Sequence, residues 1–443
     1  MSTFSGFFLS GAVLLASVTP AASQTLQIES RQALMDEPLR IRVTGLAPGQ
    51  AAVLRATVPD AEGRPWQAHA GFIADAQGVI DLTSQAPAHG DYEGVNPMGL
   101  LHSMTLPLNL RGPGFSYGSM EKLTVRFALE VDGREIHAVE VERWRKAPGV
   151  ESQEVRENGL VGRLFLPAGA GPHPALLVLG GSEGGLSSAD DAALFASHGY
   201  VALALAYFGA EGLPAELAEI PLDYFNKAMD WMEANSLTRQ GLGLVGTSKG
   251  AEAALLLASK YPAVRAVVVY APSSVAWSCI CEDSGKPSWT FQGQPVPFVP
   301  YAMDPTYRPG ANFPIRPVIN YRYRLQDRER VGQAAIPVER IQGPVLLISG
   351  QDDQLWPSAE MAEMILARLR NHQHRFVSRH LSYEGAGHAI RKAYLPMGDS
   401  TTAARGRLVL GGTPEANARA QADSWPRVLQ FLESAFEQTP AAE

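Results

Sequence analysis

Cysteine is almost missing from this chain: its 443 residues include two, Cys279 and Cys281, separated by one isoleucine. That excludes a disulfide-stapled scaffold and a four-cysteine zinc site. Two thiolates without a second pair or neighbouring histidines make half a zinc site, so the expectation is two reduced, buried cysteines. An oxidising compartment could instead join them in a tight ring. No run reaches the ~20 apolar residues of a membrane-spanning helix. Basic residues are in deficit, 37 against 45 acidic, for a formal charge of -8 and a pI near 5.7. Such a balance argues against a general binder of nucleic-acid backbone.

Charge is absent altogether from Met1 to Ile28. Within that stretch FFLSGAVLLASV (Phe7 to Val18) has the length of a signal-peptide core, and Ala21 and Ser23 are small enough for cleavage before Gln24, although no Lys or Arg precedes the core. The expectation is a signal peptide over residues 1–23 and export to the periplasm or medium; without it the chain would be cytoplasmic.

What is present is globular in composition, 46% apolar and 19% charged, and long enough for two or three domains. From Leu26 to Arg145 short alternating or β-branched stretches (PLRIRVTGL, AAVLRATV, GVIDLTS, KLTVRFALEV, IHAVEVERW) are separated by turn formers such as APGQ and DAEGRP. They predict an all-β sandwich over residues 25–147, with Pro148-Gly149 as linker. Beyond it the pattern becomes α/β over residues 150–440. Near-continuous apolar runs (ALLVLGG, YVALALAYFG, LGLVGTS, VRAVVVYAP, PVLLISG) alternate with helix-like stretches starting near Ser188, Ala215, Lys249 and Ser358. Runs of that kind fit parallel strands buried on both faces of a doubly wound sheet. Residues 283–338 break the rhythm with Pro, aromatic residues and Arg and no helical period, and a long insertion of this sort is read as functional or lid-like.

One serine stands between glycines where an apolar strand gives way to a helix, in Gly246-Thr247-Ser248-Lys249-Gly250. Gly-x-Ser-x-Gly permits the sharp turn of a nucleophile elbow. Helix capping is the bland alternative. A phosphate-binding loop fails because Lys249 lacks the required Gly-x4-Gly-Lys pattern. A serine hydroxyl attacks only when a histidine takes its proton and a carboxylate orients that histidine. PVLLISG ends in Gly350-Gln351-Asp352-Asp353, where Asp353 has the favoured turn position and Asp352 is the alternative. The next strand-like run ends in Gly387-His388, so the order Ser248, Asp353, His388 is that of an α/β-hydrolase. Backbone N–H groups of Lys249 and of the Gly180–Gly185 loop, at Gly181 or Ser182, are the candidates for an oxyanion site. That loop lacks dinucleotide-binding spacing. This chemistry requires no cofactor and no metal.

The residues around this constellation resemble the acyl-CoA thioesterase and bile acid-CoA:amino acid N-acyltransferase family. The likeness rests on Gly246 to Glu252, Gly350 to Asp353 followed by Trp356 and Ser358, Gly411 to Pro414, the AxAxADxW run ending at Trp425, MDEPLRIRVTGLAPGQ, and PMGLLHSM (Pro97 to Met104). It implies a β-sandwich domain preceding an α/β-hydrolase, a Ser248–Asp353–His388 triad, and hydrolysis of acyl-CoA thioesters. The acyltransferase branch typically carries cysteine where this chain has Ser248, so hydrolysis is expected over conjugation to an amino acid. An ester or amide becomes the expected substrate if the chain is exported. The expected partner is that small-molecule acyl substrate; the oligomeric state is left open.

Overall fold

The computed structural model describes residues 23–437 apart from 108–109, 111–113, 311–313, 392–393, 399 and 404–406; the expected signal peptide therefore lies almost wholly outside the described residues.

The first third of the chain forms two antiparallel-rich sheets. Thr25–Ile28, Ile41–Thr44 and Ile80–Asp81 make the smaller one. The larger runs in the order Gln32–Leu34, Arg134–Trp144, Lys122–Val131, Ala51–Pro59, Pro65–Ile73, His89–Gly90. Inward residues of both meet in one core that includes Ile41, Leu54, Trp66, Phe72 and Phe127. The nine-residue strand Pro65–Ile73 is not among the strands read from the sequence, because two of its four alternating inward positions (Trp66, Ala68, Ala70, Phe72) are alanines and Gly71 between them is buried too.

An eight-stranded sheet follows. We label its strands β1 (Glu151–Val155), β2 (Val161–Leu166), β3 (His173–Leu179), β4 (Val201–Ala206), β5 (Thr238–Thr247), β6 (Val264–Tyr270), β7 (Val345–Gly350) and β8 (Ser378–Tyr383). Their spatial order is 1-2-4-3-5-6-7-8. The β1–β2 and β2–β4 pairs are antiparallel and all others parallel. Every residue of β4 and β7 is buried, as both faces are covered. On one face lie α2 (Leu222–Glu233), α3 (Lys249–Lys260) and α4 (Ser358–Asn371), contributing Phe225, Leu255 and Ile365. On the other lie α1 (Ala189–Ser197) and α5 (Pro414–Glu437), contributing Phe195, Trp425 and Leu432. This is the α/β-hydrolase arrangement expected from the pattern.

Three expectations need correction. Helix α2 starts at Leu222 rather than near Ala215, because Ile220–Pro221 pairs as a short strand with Trp289–Thr290. The insertion is not free of helix: it holds Val318–Leu325 and Arg328–Ala334, the second capped by Asp327, whose carboxylate accepts the Arg330 N–H at 3.2 Å. Tyr321 from the first of these helices packs edge-on against Trp277 and Trp356 at 4.7 and 5.9 Å, which anchors a segment too short to show a period of its own. Finally, Cys279 and Cys281 are not reduced thiols but a disulfide. Their chain segment turns back on itself, with the Cys279 N–H donating to the Lys286 carbonyl at 2.9 Å, and brings the two sulfurs together.

The two parts of the chain meet through polar side chains. Asp36 Oδ2 accepts from Trp425 Nε1 and lies against His198 Nε2, each at 2.6 Å. Tyr117 and Arg145 both reach Asp190 at the start of α1, with the Arg145 guanidinium 4.2 Å over the Tyr117 ring.

Candidate active site

The second half of strand β5, Leu242–Val245, is apolar, and past Thr247 the chain turns within one residue into α3. That residue is Ser248, at φ 55° and ψ −118°. A side chain held at positive φ is strained by about 1–3 kcal/mol and persists where its surroundings over-determine it. Here the surroundings are two close backbone approaches. A Cβ on Gly246 would stand 2.3 Å from the Gly250 carbonyl oxygen, and one on Gly250 would stand 2.2 Å from that of Gly180. Only glycine fits either position, so the Gly-x-Ser-x-Gly spacing is set by the packing of β5, α3 and the end of β3. The Ser248 N–H donates to the Tyr270 carbonyl at 2.9 Å, while its hydroxyl has no hydrogen-bond partner among the described residues.

Asp353 and His388 are brought together. His388 Nδ1 lies 2.8 Å from Asp353 Oδ2. The same oxygen accepts the Ser358 hydroxyl at 2.6 Å, and Oδ1 accepts the Leu355 and Trp356 N–H groups at 3.0 and 3.2 Å. Four donors therefore fix the carboxylate. Asp352 points elsewhere: its Oδ2 accepts the Gly412 N–H at 2.9 Å. The His388 loop is held from α5, where Asn417 Oδ1 accepts the Gly387 N–H at 2.7 Å and Gln421 Nε2 donates to the Ala389 carbonyl at 3.0 Å. The Trp356 ring stands edge-on to the imidazole at 6.0 Å.

Beside Ser248 the amides of Lys249, Gly181 and Ser182 make no backbone hydrogen bond among the described residues. Gly181 is adjacent to the serine, since a Cβ built on it would lie 3.3 Å from Ser248 Cβ. Sequence reasoning missed the group that holds this loop. Tyr207 is buried at the end of β4, and its hydroxyl lies 2.7 and 3.1 Å from the Gly180 and Gly181 carbonyl oxygens. The available signal was a polar hydroxyl closing an otherwise apolar strand. Burial pushes that phenol well above its usual pKa, so it stays a donor.

The Lys249 side chain runs the other way, into the protein. Its ammonium lies 2.9 Å from both Glu252 oxygens, and Glu252 also accepts the Trp277 N–H at 3.0 Å and the Trp289 indole N–H at 2.6 Å. Burial pushes the Lys249 amine down against the pull of Glu252, and the Glu252 carboxyl up against these donors. The pair fixes the first turn of α3 beneath the serine.

Ser248 opens into a cavity of about 290 Å³ walled by Ser182, Tyr301, Tyr321, Leu355, Trp356, Leu408 and the Cys279–Cys281 pair. Tyr301 and Tyr321 come from the insertion, which thus covers the site. No group of three or more metal-binding side chains occurs among the described residues, and no described helix is long and apolar enough to cross a membrane.

Both parts of the chain match known proteins. Residues 36–157 match the acyl-CoA thioester hydrolase/BAAT N-terminal region, and residues 220–438 match the BAAT/acyl-CoA thioester hydrolase C-terminal region. The chain is 33% identical over 417 residues to mouse acyl-coenzyme A amino acid N-acyltransferase 1, covering 90% of this chain and 95% of the relative. Mouse peroxisomal succinyl-coenzyme A thioesterase is 33% identical over 427 residues, covering 92% and 96%. Human acyl-coenzyme A thioesterase 1 is 32% identical over 412 residues, covering 90% and 93%. With both regions matched in order and relatives aligned over more than nine-tenths of their own length, the chain belongs to the acyl-CoA thioester hydrolase/BAAT family.

Proposed function

We propose that this chain is a serine hydrolase that cleaves acyl-CoA thioesters to a free acid and CoA through an acyl-serine intermediate. The observation that carries this reading is Ser248 held at positive φ at the mouth of an apolar cavity, with the Asp353–His388 pair at the neighbouring strand ends. His388 takes the Ser248 proton as the hydroxyl oxygen attacks the thioester carbonyl. Asp353 holds the imidazole with Nε2 free to face the serine and balances its positive charge. The N–H groups of Lys249 and of Gly181 or Ser182 receive the developing oxyanion. Collapse expels the thiol, protonated by His388, and a water activated by the same imidazole releases the acid. The serine hydroxyl and imidazole close to hydrogen-bonding distance when substrate fills the cavity, as such contacts tighten in the loaded enzyme.

Transfer to an amino acid is the second reading, favoured by relatives named as N-acyltransferases at the same identity as those named as thioesterases. An oxygen ester is a poorer acyl donor to amines than a thioester, which supports water as the acceptor here. Free-thiol release from a chain-length series of acyl-CoAs, with glycine and taurine added in parallel, tests both. Serine-dependent thiol release with free acid as product is expected, and Ser248→Ala lowers the rate by at least about 10³-fold. A conjugate as main product would replace hydrolysis by transfer. Hydrolysis of every acyl donor by Ser248→Ala would remove the mechanism.

Residues 25–147 and 150–440 are read as separate domains, the first buttressing the His388 loop, since the Met397 N–H donates to the His102 carbonyl at 2.9 Å. Export, under which an ester, amide or other thioester would replace the CoA thioester as acyl donor, is supported by the uncharged N-terminal stretch and by the disulfide, which suits an oxidising compartment. A mature protein beginning at Gln24 in the extracytoplasmic fraction is the expected mass-spectrometric result; an intact Met1 terminus in the cytoplasm would sink it.

A further inference from the structure

The acyl chemistry makes no use of the Cys279–Cys281 disulfide, yet both residues wall the cavity into which Ser248 opens. The loop that carries it is pinned just before the bond and within its ring. Ser278 bridges to Pro287, and the Ile280 N–H donates to the Leu217 carbonyl at 3.1 Å. Cys279 is buried whereas Cys281 is half-exposed, which makes Cys281 the more approachable partner. Both sulfurs lie 3.1 Å from the Asp283 carbonyl oxygen. A disulfide sulfur has no proton to give that oxygen, but a thiol has one. Opening the bond therefore creates a donor beside an acceptor already in place.

Thioester cleavage releases a thiol inside this cavity, and thiolates exchange with disulfides by attacking one sulfur and expelling the other. We propose that the Cys279–Cys281 bond is a site of reversible thiolation by the thiol leaving group, forming a product-sensing brake on Ser248. The inference rests on the thioesterase reading above. In the step, the thiolate sulfur of the leaving group attacks Cys281 Sγ. A new S–S bond joins the group to Cys281, the Cys279–Cys281 bond breaks, and its electron pair leaves on Cys279, which takes up the proton lost by the attacking thiol. One disulfide replaces another, so no external oxidant or reductant enters. The adduct occupies the cavity over the serine. Cys279, two residues away, attacks Cys281 Sγ in return, restores the ring and frees the thiol as its concentration falls.

The test uses the full chain purified without reductant and exposed to free CoA with no acyl donor. Intact mass reads the adduct, and fluorophosphonate labelling of Ser248 reads access to the site. One CoA per chain, mapped to the Cys281 peptide, is expected, with labelling slowed in step with occupancy and restored when CoA is removed. Desulfo-CoA, which lacks the thiol, reports non-covalent occupancy and forms no adduct. The Cys279→Ser/Cys281→Ser double variant, whatever its basal labelling rate, responds to CoA no more than to desulfo-CoA. Cysteines that alkylate without prior reduction overturn the proposal, as do absence of an adduct and an adduct that leaves labelling unchanged. A glutathione adduct formed as readily as the CoA adduct overturns its assignment to the leaving group. Acyl-CoA hydrolysis by the double variant and the parent is measured separately, so failure of the thioesterase reading is seen on its own.

Discussion

In strand Ala51–Pro59 of the first sheet system every second residue is buried, whereas in β7 of the second every residue is. The difference follows from what covers each. The sandwich sheets bury one face against each other and leave the other to solvent, so they keep a free surface along their whole length. The central strands of the eight-stranded sheet have helices on both faces and no free surface, which confines their chemistry to strand ends. Ser248 follows β5, Asp353 follows β7 and His388 follows β8. Polar groups show the same contrast. Arg55 and Glu130 pair on the sandwich surface at 3.0 Å with partly exposed side chains, while Lys249 and Glu252 pair at 2.9 Å with almost none.

The comparison can be broken most forcefully at that second pair. Glu252→Ala leaves a buried ammonium without a partner, and a loss of about 3–5 kcal/mol is expected in urea unfolding, against about 0–1 kcal/mol for Glu130→Ala. Equal losses would mean that burial does not separate the two. Next in size, Tyr207→Phe frees the carbonyls of Gly180 and Gly181, and kcat falls by roughly tenfold with KM unchanged. A change in KM alone would place the hydroxyl in substrate binding instead. Asp36→Ala removes the acceptor shared by Trp425 and His198, and about 1–3 kcal/mol of stability is expected to go with it. Its signature is an unfolding transition in which the two regions no longer melt together.

The smallest effect concerns pH. Burial holds His102, in the short helix Gly99–His102 whose last carbonyl accepts the Met397 N–H, below its ordinary 6.5, against the attraction of Glu415. The unfolded chain thus takes up a proton near pH 6.5 that the folded chain refuses, so this contribution is complete above 6.5 and is lost as the pH falls from there through the folded value. His102→Gln flattens the fall in urea midpoint between about pH 7.5 and 5.5; an unchanged slope would assign the pH dependence to other groups.

Much of this arrangement is legible in the sequence. Strand–turn–helix context marked Ser248, and the turn after PVLLISG marked Asp353, which the structure pairs with His388 in preference to Asp352. What stayed hidden depends on contacts remote in sequence. Tyr207 matters because its hydroxyl meets a loop 26 and 27 residues away, and Trp289 because its indole meets Glu252 across 37 residues. Helix α5 was unread because Pro426 interrupts its pattern and small residues fill its first half, although a proline removes just one donor from a helix otherwise packed along its length. The disulfide was misjudged because spacing alone does not reveal how a loop folds back.

The bond between Asp36 and Trp425 joins residues 389 apart, nearly the whole length of the chain. A ribosome delivers the first of these long before the second, so the sandwich must wait for the final helix before this seam can close. The same helix supplies Asn417 and Gln421, which shape the backbone around His388. A nascent or C-terminally clipped chain therefore holds its serine in place but lacks the clamp on its histidine. That clamp closes only once helix α5, Pro414–Glu437, has docked.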